Sequence, residues 1–277
     1  MEDNAGKFYV LDDALKDASD FIQVDTKSGR TAYEVIRIIK GVPLFYQDHF
    51  DRMKGTFEAI DRPLEMDAGQ LKKAMKKLLQ ANEEENCNVK VVVFDEKGQQ
   101  RKLAYISRSH YPSEEEANKG VKAGLFKIER QNPNAKLINQ AYKDAVNAKI
   151  KEGGYFEVLL EDNLGRITEG SKSNAFFVKG NSIFTAPGQF VLKGITRKYV
   201  FEACKNAGFE VVENFIDAES LCQVEGAFFS GTSIKVLPIK TIGNNTINSS
   251  ANPVVAAVRR EYDQLLEKYI EEYVSKW

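Results

Sequence analysis

The chain has 277 residues, long enough for two domains of about 100–150 residues each. Hydrophobic residues at 43% and charged residues at 29% suit a soluble globular protein, and 39 basic against 40 acidic residues leave a formal net charge of -1. That balance argues against a protein whose main task is holding nucleic acid, which would need a basic surplus. In chain order, 33–39 alternates and is rich in β-branched residues, so it reads as a strand, and 44–46 reads as a short return strand. Apolar residues at helical spacing predict helices over 47–60 and 67–81. Strands are expected over 88–94 and 102–107, joined by a turn at 95–99. The polar, acidic stretch 112–120 marks a break in composition. It divides the chain into an N-terminal α/β domain over 1–112, a linker over 113–121 and a strand-rich domain over 122–277. In the second domain, strands are expected over 121–128, 155–160, near 167, and over 175–178, 182–185, 211–215, 226–230 and 235–239. Helices are expected over 139–152 and 196–207, and an amphipathic helix over 253–277. Strands and interspersed helices in both halves indicate an α+β fold.

Three widely spaced cysteines, Cys87, Cys204 and Cys222, give no disulfide framework and point to a reducing, cytoplasmic setting. The N-terminus carries no signal-peptide pattern, and no uncharged apolar run approaches the 18 residues of a membrane span. The only two histidines, His49 and His110, belong to no cluster with metal-ligand spacing, so no metal is expected. Asp48, His49 and Asp51 would not point together at a helix start. Serine-hydrolase, zinc-protease, Walker and dinucleotide-binding motifs are absent.

The informative stretch runs from Glu161 to Arg197. It holds Glu169-x-Ser171-x-x-Asn174 at a strand end, Thr185 at the next, and Leu192-Lys193-Gly194-Ile195-Thr196-Arg197 leading from a loop into a helix. Free N–H groups at a helix start, beside a glycine and a threonine hydroxyl, make an anion cup. Ser230-Gly231-Thr232-Ser233 could offer the same chemistry. Either loop alone reads more simply as a helix cap and a turn.

Together these residues resemble the fold-type IV pyridoxal-phosphate (PLP) enzymes, the class IV aminotransferases. That group includes D-amino acid and branched-chain aminotransferases and aminodeoxychorismate lyases. Tyr33-Glu34-Val35-Ile36-Arg37 and His49-Phe50-Asp51-Arg52-Met53 extend the resemblance into the N-terminal half. It implies a two-domain α+β fold with a small N-terminal domain, PLP as cofactor, and transfer of an amino group between an amino acid and a 2-oxo acid. It also implies a homodimer, for which the apolar pair Phe45-Tyr46 would serve as exposed surface. Neither nucleic acid nor membrane is implied as a partner.

Residue by residue, the resemblance assigns Lys136, in Lys136-Leu137-Ile138-Asn139, as the lysine that bonds PLP and shuttles the proton. Lys136 has apolar neighbours, which suit a nucleophilic lysine, although without the family match it reads as a surface lysine before a helix. Lys127 is the runner-up. Glu169 matches the carboxylate paired with the pyridine nitrogen, Arg52 the phosphate arginine, and Leu192 the residue packing on the ring. Gly194, Ile195, Thr196, Gly231 and Thr232 match the phosphate cup. Tyr33 matches a substrate-side tyrosine. Arg108-Ser109-His110 resembles the Arg-x-His pair with which D-amino acid enzymes hold the substrate carboxylate, which favours D-amino acids over branched-chain L-amino acids. Two departures are Ser28-Gly29-Arg30-Thr31-Ala32, where the family has an acidic-Gly approach, and Leu137-Ile138 after the lysine. A lyase on the same scaffold and a non-catalytic anion-binding module are the other readings.

Overall fold

The computed structural model describes residues 3–24 and 31–277, so Ser28, Gly29 and Arg30 lie outside the described residues. The chain divides into two units. The first takes the described residues up to His110, with Ala135–Gln140 and Glu267–Trp277; the second takes Tyr111–Asn134 and Ala141–Leu266.

The first unit holds β1 (Phe8–Leu11), β2 (Ala14–Asp17), β3 (Ala32–Ile39), β4 (Val42–Pro43), α1 (Tyr46–Glu58), α2 (Ala68–Asn82), β5 (Asn88–Glu96) and β6 (Gln99–Ile106). Its sheet runs β2-β1-β6-β5-β3-β4. Burial alternates along β3, so Ala32, Ile36 and Ile38 enter a core with Met53 and Phe57 of α1 and Leu71, Met75 and Leu78 of α2. Each of these side chains other than that of Ala32 contributes about 1.5–3 kcal/mol on burial. Asp67 and Gln70 form a capping box at the start of α2. The expected strand over 44–46 does not form. Phe45 adopts a left-handed conformation (φ 52) as the N-cap of α1, which turns the chain directly into the helix. Its ring is buried 4.8 Å from that of Tyr269, so it is not the exposed apolar surface expected of it. Strands β1 and β2 escaped the sequence reading because β2 is exposed throughout and carries no alternation.

The second unit begins with α3 (Glu114–Lys119), inside the stretch read as a linker. Ser113 and Glu116 form a capping box, three glutamates fill the first turn and Lys119 the last, so a polar sequence becomes a helix without burying a residue. Then follow β7 (Val121–Lys127), α4 (Gln140–Gly153), β8 (Glu157–Glu161), β9 (Arg166–Gly170), β10 (Asn174–Lys179), β11 (Ser182–Thr185) and α5 (Ile195–Asn206). The unit continues with β12 (Glu210–Glu213), β13 (Ile216–Asp217), β14 (Gly226–Gly231), β15 (Lys235–Ile242), β16 (Asn245–Thr246) and the greater part of α6 (Pro253–Tyr273), whose residues from Glu267 onward are counted with the first unit. The sheet order is β12-β11-β10-β14-β15-β7-β8-β9-β13, with β16 on β15. Among the described residues only β7–β8, β7–β15 and β11–β12 pair in parallel. The mixed sheets and helices make the α+β fold expected from the sequence. Among the described residues no helix is long and apolar enough to cross a membrane.

Candidate active site

In the first unit, the alternation of β3 sends Glu34 to the buried face. His49 and Arg52 are three residues apart on α1, so both reach that one carboxylate. His49 Nδ1 lies 2.7 Å from Glu34 Oε2, while Arg52 donates from Nε (2.7 Å) and Nη2 (2.6 Å), one bond to each oxygen. Burial alone would raise the Glu34 carboxyl, but the Arg52 guanidinium and then His49 outweigh it and hold the group well below the usual carboxylate range. Burial lowers His49 first, and the Arg52 and Lys136 cations add to it against the pull of Glu34. A carboxylate only accepts, so Nδ1 carries the proton of the neutral ring.

One turn along α1, the Thr56 hydroxyl donates to the Arg52 carbonyl (3.0 Å) and accepts the Lys136 backbone N–H (3.3 Å). The Lys136 segment is also laced to the start of β3. The Tyr33 N–H donates to the Lys136 carbonyl (3.1 Å), the Ile138 N–H donates to Thr31 (2.9 Å), and Leu137 bridges Ala32. Lys136 Nζ lies 4.9 Å from the centroid of the Tyr33 ring, within cation–π range.

In the second unit, Glu169 of β9 is 2% exposed. One oxygen accepts from the Leu192 N–H and from Asn174 Nδ2, both at 3.1 Å, and the other from Arg130 Nη1 at 3.4 Å. Asn174 Nδ2 also donates to the Leu192 carbonyl (2.9 Å), so one amide ties β9, β10 and the loop before α5 together. Gly194 closes the knot, since a Cβ there would stand 2.2 Å from Asn174 Oδ1. Gly194 is the N-cap of α5 and provides no side-chain cap, so the first-turn N–H groups at Ile195 and Thr196 favour an anion. Across the sheet Asn174 pairs with Ser230, after which Gly231 and Thr232 turn towards β15. The Ser230 hydroxyl is buried with no hydrogen-bond partner among the described residues. Arg197 turns elsewhere: Nη2 donates to the Ala186 carbonyl (3.0 Å) and Glu213 (2.8 Å).

The first unit thus brings Tyr33, Arg52 and Lys136 together. The second brings together Glu169, Leu192, Gly194, Ile195 and Thr196, with Gly231 and Thr232 following the strand that pairs with Asn174. Arg108 and His110 do not join Lys136 within the first unit. Leu137 bridges Ala32, which pairs with Val93, whereas Ser107 bonds Asn88 at the other end of β5. Five residues of strand separate those rows, about 17 Å. Arg108 Nε instead donates to the Asn4 carbonyl at 3.4 Å, and His110 is part of the exposed stretch that follows β6. Lys127 is exposed at the end of β7. The sequence reading gave no role to Thr56 or Arg130, and it quoted Glu34 and His49 within the family motifs without assigning either a role, apart from weighing His49 as a metal ligand. Glu34 had a signal: its place on the inward face of an alternating strand demands a buried cationic partner. Among the described residues no group of His, Cys, Asp and Glu could hold a metal.

The model of the amino-transferase class IV family matches residues 31–242. A D-alanine aminotransferase of Bacillus licheniformis is 28% identical over 236 residues, covering 80% of this chain and 82% of that protein. A branched-chain-amino-acid aminotransferase of Pseudomonas aeruginosa is 25% identical over 256 residues, covering 86% and 83%. Among solved structures, the branched-chain aminotransferase of Thermoproteus uzoniensis with norvaline has a TM-score of 0.84 at 22% identity, over 96% of this chain and 98% of that one. The Escherichia coli branched-chain enzyme has a TM-score of 0.83 at 20% identity, over 94% of each. The chain belongs to the class IV aminotransferases. It is a PLP-dependent enzyme that moves an amino group between an amino acid and a 2-oxo acid. The residues present fit that cofactor. A ringed, buried carboxylate, an uncapped helix start beside an orphaned hydroxyl, and a lysine seated on an aromatic ring supply donors and acceptors of the required kinds.

Proposed function

We propose that Lys136 bonds PLP and moves the proton of the transfer. Glu169 holds a proton on the ring nitrogen, and Leu192 packs on the ring. Arg52, the first turn of α5 and Thr232 hold the phosphate. The observation that carries this reading is the clamp on Lys136: Thr56 joins its backbone to that of Arg52, and β3 fixes it on either side. When bound, PLP supplies the carbonyl carbon that takes the amino group and a ring that accepts electrons. Lys136 Nζ takes up and returns the proton, and the Tyr33 ring limits where that atom can stand. Every partner named for Glu169 is a donor, which suits a carboxylate that accepts from a protonated nitrogen. Glu34 holds the Arg52 guanidinium in one plane for a phosphate.

For the substrate, D-amino acids such as D-alanine or D-glutamate come first and branched-chain L-amino acids second. The Bacillus licheniformis relative supports the first and the Pseudomonas aeruginosa relative the second. A panel of D- and L-amino acids with pyruvate or 2-oxoglutarate as acceptor decides between them. Product release without any 2-oxo acid acceptor would mark a lyase instead. A homodimer belongs to the same proposal on family resemblance. A cytoplasmic setting rests on three unpaired cysteines, of which Cys87 and Cys204 are buried with thiols pushed up to about 12 by that burial.

A further inference from the structure

Glu157, the first residue of β8, is a carboxylate that none of the roles above uses, and it is 5% exposed. Its two oxygens are filled by donors from residues 171–173 and from Val158 of its own strand. Oε1 accepts from the Ser171 hydroxyl and from the N–H of Val158 (3.0 Å). Oε2 accepts from the Lys172 N–H (3.2 Å) and the Ser173 hydroxyl (3.3 Å). The Ser171 N–H is docked on the Val158 carbonyl (3.0 Å), and Tyr142 donates to the Ser171 carbonyl (3.2 Å). The segment is tightly wound: a Cβ on Gly170 would stand 2.2 Å from Ser173 Oγ.

Residues 171–173 are the whole connection between β9 and β10. Glu169 stands just before it and Asn174 just after it, and the two are hydrogen-bonded to each other. We propose that Glu157 is a positioning residue for Glu169: by tying down Ser171, Lys172 and Ser173 it sets where the Glu169 carboxylate and its Asn174 clamp stand. The inference rests on the reading of Glu169 as the carboxylate paired with the cofactor's ring nitrogen. Four donors converge on this carboxylate from within its own strand and the connection, so the acidic group is built in as an acceptor, and a neutral side chain of the same shape cannot replace it. Each oxygen receives one backbone N–H, from Val158 on one side and Lys172 on the other. A hydroxyl can turn round and accept; a backbone N–H cannot. In Glu157→Gln the amide nitrogen must therefore face one of those N–H groups in either orientation, and the start of β8 or the connection has to move.

The test is a double-mutant cycle on the holoenzyme, read as the dissociation constant of PLP and as the pH dependence of its bound absorbance, with Tm measured alongside. Glu157→Gln should weaken PLP about tenfold and shift the absorbance titration when Glu169 is present. In a Glu169→Ala background it should cost less than about twofold, because coupled residues in one network lose their separate effects. Equal losses in both backgrounds, or none in either, would overturn the positioning role and leave Glu157 a structural anchor or nothing. A Glu169→Ala variant that itself changes neither affinity nor titration would overturn the reading of Glu169, a result distinct from the others. Should Glu157→Gln fail to fold, Ser173→Ala removes one donor and keeps the carboxyl group. It should show the same coupling to Glu169 at about threefold, and an additive effect there would equally overturn the proposal.

Discussion

The Arg52 guanidinium meets the Glu34 carboxylate fork to fork, with Nε on one oxygen and Nη2 on the other, and both groups are largely shielded from water. A buried carboxylate of this kind is tolerated only when paired, and the pairing fixes the plane of the arginine. An arginine held in one plane is prepared for a bidentate anion, which a freely rotating surface arginine is not.

Arg52→Ala should therefore weaken PLP retention more than Thr232→Ala. A charge-assisted hydrogen bond is worth about 1.5–3 kcal/mol and a neutral one about 0.5–1.5 kcal/mol. Cofactor dissociation followed by absorbance gives the order. If Thr232→Ala is the more damaging variant, Arg52 serves Glu34 alone.

Borohydride reduction of the purified holoenzyme should fix the cofactor covalently, and peptide mapping should find the label on Lys136. The expectation follows from the three-sided backbone clamp on that residue and from the placing of its Nζ on the Tyr33 ring. Label on the exposed Lys127 would move the reactive lysine to the end of β7.

The lysine and the glutamate of the proposed site were named through the family resemblance, and the helix start through its glycine and threonine. The partners that hold them were not, because they come from remote segments. Thr56 reaches Lys136 across 80 residues and Arg130 reaches Glu169 across 39. Phe45 looked like strand and surface, since a left-handed turn at a phenylalanine leaves no trace in composition. Helix α3 looked like linker because polarity was weighed above the Ser113–Glu116 capping box. Periodicity reports which face is buried, not which neighbour covers it.

His49 should give the protein a pH-dependent stability. Its value is depressed in the folded chain, so as pH falls below about 6.5 the unfolded chain binds a proton that the folded chain refuses. Stability therefore rises with pH through the window between that depressed value and about 6.5, and is lost as pH falls through it. His49→Asn keeps a side-chain donor for Glu34 without a titrating ring, so it should flatten this part of the Tm profile. Parallel profiles for the two proteins would show that His49 titrates alike in the folded and unfolded chains.

Gly194→Ala should weaken cofactor binding and lower Tm together. Its Cβ would stand 2.2 Å from Asn174 Oδ1, so the amide that clamps Glu169 or the start of α5 must shift. The backbone angle at Gly194 is one that alanine adopts without strain (φ -62), so contact and not conformation is the cause. Wild-type cofactor affinity in this variant would mean that Asn174 relaxes without moving Glu169.

Arg108 tests how the substrate's handedness is set. The resemblance gives it the carboxylate of every amino acid donor, and on that basis Arg108→Ala should raise KM about 10–100-fold. Strand register gives the opposite expectation. Ser107 shares a row with Asn88 while Lys136 stands at the Ala32–Val93 end, and the Arg108 side chain bonds the Asn4 carbonyl. An arginine committed to the N-terminal segment at that distance touches no substrate on Lys136 within its own unit. If each subunit serves only its own site, Arg108→Ala should leave KM within about threefold for D-alanine and L-leucine alike, and PLP retention unchanged. Handedness would then be set by the Tyr33 side of the site, and Tyr33→Phe, which keeps the ring under Lys136 and removes its hydroxyl, should change the ratio of D to L activity. A KM rise of about tenfold or more in Arg108→Ala, confined to D-amino acids, would return the carboxylate to Arg108 and overturn the argument from register.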